Sequence, residues 1–130
     1  MTGFAVIRDT TPVADIPRGS VVAMGNFDGV HRGHRAVIGA CLEMARRYNK
    51  PAFAVTFEPH PRAFFKPDNP EFWLADLNGK LRLLAGTGLD GVILLGFDAK
   101  RAATPAEDFI RNELSGRLGV SGVAVGYNFH

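Results

Sequence analysis

The chain of 130 residues has a single cysteine, Cys41, so no disulfide can form within it and its stability must come from packing. Long hydrophobic runs are missing too. None approaches the roughly 20 residues that span a bilayer, and the amino-terminal MTGFAVIRDT has no apolar core behind a basic start, so neither a membrane span nor a signal peptide is expected. Charge of one sign is scarce: Lys+Arg 15 against Asp+Glu 13 gives a formal net charge of +2, with a pI near 9.0. No basic run is longer than a pair such as Arg46-Arg47. This excludes the basic, aromatic-interleaved stripe of a nucleic-acid binder and is compatible with a small anionic substrate. Internal repeats and low-complexity tracts are absent. What remains is ordinary globular composition, 46% hydrophobic and 22% charged, enough to bury a core in one domain. The expected setting is cytoplasmic, without a membrane or nucleic-acid partner. The oligomeric state is not legible.

Four segments are nearly continuous in apolar residues: Val21–Gly25, Ala52–Phe57, Gly91–Gly96 and Gly122–Gly126. Continuous rather than alternating runs fit strands covered on both faces of a parallel sheet. Phe4–Arg8 adds an edge strand. Helical spacing lies between them. His34–Asn49 places Val37, Cys41, Met44 and Tyr48 on one stripe and ends before Pro51. A second helix covers Lys80–Ala85 and residues before it, despite the cost of Gly79. A third opens with Thr104 as N-cap, Pro105 at the first position and Glu107 three residues after the cap, and runs to about Leu118. The alternation predicts an α/β fold, a Rossmann-like parallel-sheet sandwich, with ligands beyond the carboxyl ends of the strands.

Gly86, Gly88 and Gly91 match G-x-G-x-x-G, but they follow a helix and precede a strand. The dinucleotide fingerprint needs the reverse order, so these glycines are expected to cap a helix and turn into a strand. The run Gly25-Asn26-Phe27-Asp28-Gly29-Val30-His31-Arg32-Gly33-His34 lies between the first strong strand and the first long helix. There Gly25 and Gly29 permit turns, Gly33 lets a ligand approach the backbone, and His34 meets the free N–H groups and dipole of the helix start. With His31 three residues earlier, two imidazoles and backbone N–H groups can cradle phosphate oxygens. A capped turn with incidental histidines is the plainer alternative. A zinc site from His31, His34 and His60 lacks a cysteine pair and a shared helix face, so no metal ligands are expected.

The run GNFDGVHRGH resembles the first motif of the bacterial FAD synthetases, members of the His-x-Gly-His nucleotidyltransferase superfamily. Val55–Arg62 (VTFEPHPR), Leu95–Asp98 with Thr104–Phe109, and Val125–His130 (VGYNFH) resemble further motifs of that family, so the likeness runs from about Val21 to His130. It implies that residues 1–130 form an FMN adenylyltransferase domain. FMN and ATP would be the substrates, with Mg²⁺ assisting, and FAD and pyrophosphate the products. His31, His34 and Asn128 would be catalytic. Gly25, Asn26, Phe27, Asp28, Gly29, His31, Gly33 and His34 would bind ATP, and Pro59, His60, Pro61 and Asn128 the flavin side. The family's second phosphate motif and its riboflavin kinase domain have no counterpart here, so the domain is expected to be partial at its carboxyl end and to turn over poorly by itself. Superfamily members acting on pantetheine phosphate, nicotinamide mononucleotide or cytidyl nucleotides are the alternatives, as is an inactive nucleotide- or flavin-binding module.

Overall fold

The computed structural model describes residues 4–25, 27, 32–58, 70–96 and 98–125. Its elements are β1 (Ala5–Arg8), a single 3-10 turn (Val13–Asp15), β2 (Val21–Met24), α1 (Arg32–Tyr48), β3 (Ala52–Glu58), α2 (Pro70–Ala85), β4 (Gly91–Gly96), α3 (Ala99–Ala102), α4 (Ala106–Phe109), a π-helical continuation (Ile110–Arg117) and β5 (Gly122–Val125). The strands form one sheet in the order β1-β4-β3-β2-β5, every described pairing parallel. This is the expected α/β class, and the edge strand expected at the amino terminus is β1.

Strand alternation divides the core. Val21, Ala23, Ala52, Ala54, Val92 and Leu94 meet Ile38, Cys41, Ala45 and Leu84 of α1 and α2. On the other face Val22, Met24, Phe53, Val55, Phe57, Ile93 and Leu95 meet Ile16, Phe109, Leu114 and Leu118. Both faces are covered, which is why the strands read as continuous apolar runs. Full burial of each large apolar side chain stabilises by about 1.5–3 kcal/mol.

Three details differ from the sequence reading. α1 begins at Arg32, two residues early, so His34 stands third in the helix. Its buried line is Ile38, Cys41 and Ala45, while Tyr48 is 62% exposed, because the helix is rotated toward the sheet along that line. It stops where Asn49 takes a left-handed φ of 54° and Lys50 N–H donates to Ala45 O at 2.8 Å, a Schellman closure ahead of Pro51. The third expected helix is present, helical from Ala106 to Arg117, but an extra turn precedes it and its second half is π-helical. The Asp98 carboxylate accepts from Arg101 N–H at 2.8 Å and starts the extra turn α3, and the Thr104 hydroxyl donates to Lys100 O at 2.7 Å. Beyond Phe109 the turns widen, with Leu118 N–H donating to Glu113 O at 2.8 Å. Phe109 and Leu114 are both buried and stand five apart, a spacing that shares a face once the turn widens to i→i+5. Gly86–Gly91 behaves as expected: Gly86 and Thr87 N–H groups close the end of α2, Gly88 has φ 99°, and β4 starts at Gly91.

Candidate functional site

From β2 the chain crosses through α1 to β3 and through α2 to β4, while β5 lies on the other side of β2. The strand order therefore reverses between β2 and β5. In doubly wound sheets the crevice beyond that reversal takes the ligand. Met24 is in register with Val125, so both strands end level at this edge. In the sequence, the GNFDGVHRGH run follows β2 and Tyr127-Asn128-Phe129 follows β5.

Gly25 continues the β2 ladder, its N–H donating to Val55 O at 3.1 Å. It does not have a positive φ; Phe27 does, at 52°. Of the two glycines expected to permit turns, Gly25 does not take a left-handed φ and Gly29 lies outside the described residues, so Phe27 carries the left-handed φ seen here. A bulky residue in this region is strained by roughly 1–2 kcal/mol. Phe27 is 0% exposed, and its burial, at about 1.5–3 kcal/mol, is of the size needed to hold that backbone. Gly25 lies against the Phe27 ring: a Cβ there would make ordinary contact with three ring carbons at 3.4–3.5 Å. The same ring meets His34 edge-on, with centroids 5.1 Å apart at 63°. His34 thus stands in the first turn of α1 with its ring against Phe27, at a helix start whose free N–H groups and dipole favour an anion.

The structure thus brings Gly25, Phe27 and His34 together at the end of β2, with Gly33 beside His34 in the first turn of α1. Asn26, Asp28, Gly29 and His31 lie outside the described residues, as do Pro59, His60 and Pro61 after β3 and Asn128 after β5. Among the described residues, no group of three or more His, Cys, Asp or Glu is placed to hold a metal ion. Two of the three histidines considered for zinc, His31 and His60, lie outside them. No helix among the described residues is long and apolar enough to cross a membrane.

The sequence reading did not single out two buried polar groups. Thr56, in register with Leu94 toward the end of β3, is 0% exposed, and Lys80 of α2 is 3% exposed; both have partners. The signal for Lys80 was present: it stands in the apolar stripe of Leu77, Leu81 and Leu84. Cys41 is a further buried group. Its thiol donates to Val21 O at 3.3 Å, and burial pushes its pKa up to about 11, opposed by the Phe53 backbone contact. Such a thiol is structural rather than nucleophilic. A charged cluster of Asp9, Arg101, Glu113 and Arg117 stands at the β1–β4 side of the same edge. These residues are scattered over more than a hundred positions, and no local motif unites them.

Comparison with known proteins adds the following. The chain is 41% identical over 125 residues to the bifunctional riboflavin kinase/FMN adenylyltransferase of Escherichia coli K12, covering 95% of this chain and 40% of that protein. It is 40% identical over 113 residues to the Pseudomonas fluorescens protein of the same description, covering 87% of this chain and 36% of that one. Among solved structures, the "Macrolide-efflux Protein" of Streptococcus pneumoniae superposes with a TM-score of 0.70 at 25% identity, over 92% of this chain and 40% of that one. The chain thus spans about 40% of the length of the first curated relatives it matches. Residues 13–130 match the model of the family described as FAD synthetase, and the chain belongs to that family.

Proposed function

We propose that this domain carries the FMN adenylyltransferase reaction: an oxygen of the FMN phosphate attacks the α-phosphorus of ATP, the bond to the β-phosphate oxygen breaks, and FAD and pyrophosphate result. The observation that carries this reading is the contact of Phe27 with His34, which fixes an imidazole at a helix start beside the β2/β5 reversal. Family membership and relatives named as FMN adenylyltransferases support the choice of flavin.

In this reading the protein contributes position and charge stabilisation rather than covalent chemistry. His34, with the first-turn N–H groups of α1, donates to the α- and β-phosphate oxygens, and His31 donates from the preceding turn. Negative charge grows on those oxygens and on the departing pyrophosphate, so donors fixed beforehand stabilise the transition state more than the ground state. Gly25, Asn26, Phe27, Asp28, Gly29 and Gly33 shape the nucleotide pocket. Asn128 holds the attacking or reacting phosphate, and Pro59, His60 and Pro61 flank the flavin. Mg²⁺ would enter with the ATP phosphates, as it does in phosphoryl-transfer sites generally. It supplies charge neutralisation there. A cytoplasmic setting with no nucleic-acid partner completes the reading.

Product analysis tests it. The full-length protein is incubated with α-labelled ATP, Mg²⁺ and, separately, FMN, pantetheine phosphate or nicotinamide mononucleotide, with a parallel cytidyl-donor reaction. Label appearing in FAD with equimolar pyrophosphate is expected. Label appearing instead in one of the other acceptors, or nucleotide binding with no pyrophosphate release, overturns it.

A further inference from the structure

The carboxyl edge of the sheet carries a second built group on its β1–β4 side, and Arg101 lies at its centre. The guanidinium donates to Gly96 O, at the end of β4, over 3.0 Å. It sits 5.7 Å from the centre of the Phe109 ring and reaches the Asp9 and Glu113 carboxylates at 3.6 Å each. Asp9 accepts from Gly96 N–H at 2.6 Å, and Arg117 joins Glu113 (3.1 Å) to Asp9 (3.6 Å). Phe109, 8% exposed, packs on Phe57 with centroids 6.0 Å apart. Phe57 is the last residue but one of β3. One guanidinium therefore holds two strand ends, β4 by a hydrogen bond and β3 through the Phe109 ring.

Two cations face two anions here, so the group offers no net charge to a ligand. Its contacts fix backbone instead. An arginine suits the task because its planar fork can bond a carbonyl and two carboxylates while its face stacks on a ring; a lysine ammonium cannot do both.

We propose that Arg101 is a positioning residue for the acceptor side of the reaction. Through Phe57 it steadies the end of β3 at Glu58, the last described residue before Pro59, His60 and Pro61 in the sequence. This rests on the reading above, in which those three residues flank the flavin. The nucleotide contacts are separate: Phe27 packs with Val21 and Ile38 on the opposite face of the sheet. Loss of Arg101 therefore acts on FMN and spares ATP.

The test uses Arg101→Met and Arg101→Lys in the full-length protein, with two readouts. In steady-state kinetics, Arg101→Met raises KM for FMN about tenfold, the order expected of a slight misplacement, and leaves KM for ATP within about twofold. Arg101→Lys, which keeps a cation over Phe109, falls between. Equal rises in both KM values, or no rise for FMN, overturn the proposal. Amide exchange supplies the second readout: Arg101→Met speeds exchange at Phe57 and Glu58 and leaves Met24 unchanged, whereas a uniform change or none refutes the coupling. Should Arg101→Met not fold, Arg101→Lys carries both readouts with the same signs. Absence of FMN binding by the unaltered protein would sink the proposed function, and the exchange pattern would still decide what Arg101 holds.

Discussion

At the scale of single residues, the site rests on a phenylalanine in an unfavourable conformation. Phe27 has φ 52° and is fully buried between Gly25 and His34. The sequence signalled the importance of this stretch by its glycines and histidines, and its location was legible. The left-handed φ of Phe27 was not, because propensity favours glycine at such positions and burial of the ring overrode that preference. Cys41 yields a clear expectation. Its thiol has a pKa of about 11 in the fold against 9.0 ordinarily. Below 9.0 both folded and unfolded chains keep the proton and the thiol leaves stability unchanged. Between 9.0 and about 11 the unfolded chain releases it while the fold retains it, so stability falls as pH rises. Urea melts from pH 8 to 11 should show a loss on the order of 2 kcal/mol that Cys41→Ala lacks. Identical pH profiles for both proteins would contradict it.

At the scale of elements, the strands were legible because burial on both faces leaves an unmistakable apolar run. The end of α1 was legible from Pro51, although its stop is made by Asn49 and not by a glycine. In the segment after Asp98 the helix over Ala106–Arg117 was legible, but two features of the segment were not. Its α3 turn depends on one side-chain cap, and its π-helical stretch depends on Phe109 and Leu114 both reaching the core. Local sequence encodes neither the cap's competition with Thr104 nor the five-residue packing interval. α2 provides a test of local energetics. It runs through Gly79, whose added Cβ would meet nothing within 4 Å. Gly79→Ala should therefore stabilise the protein by about 0.5–1 kcal/mol, through reduced freedom of the unfolded chain and better helix propensity. Thermal melts would show a raised midpoint; a lowered one would mean that position 79 meets a neighbour.

At the scale of the whole molecule, the topology sets strands distant in sequence side by side. The reversal between β2 and β5 places the ends of residues 21–24 and 122–125 side by side, though about a hundred positions separate them. The sequence pattern was enough to expect a parallel sandwich and a ligand at its carboxyl edge. It did not reveal that β1 joins the far edge beside β4, and hence did not foresee the Asp9–Arg101–Glu113–Arg117 group. Strand order is set by global packing, and residues from three separate segments meet only once it is fixed.

The account turns on two imidazoles acting on the triphosphate at the β2/β5 edge. The most direct measurement is the rate of FAD formation from FMN and Mg·ATP by His31→Ala and His34→Ala in the full-length protein, with folding checked by melting. Each should be slowed on the order of 10²–10³-fold, the size seen when a preorganised oxyanion donor is removed. A change of less than about threefold, below 1 kcal/mol of transition-state stabilisation, would take the histidines out of the mechanism.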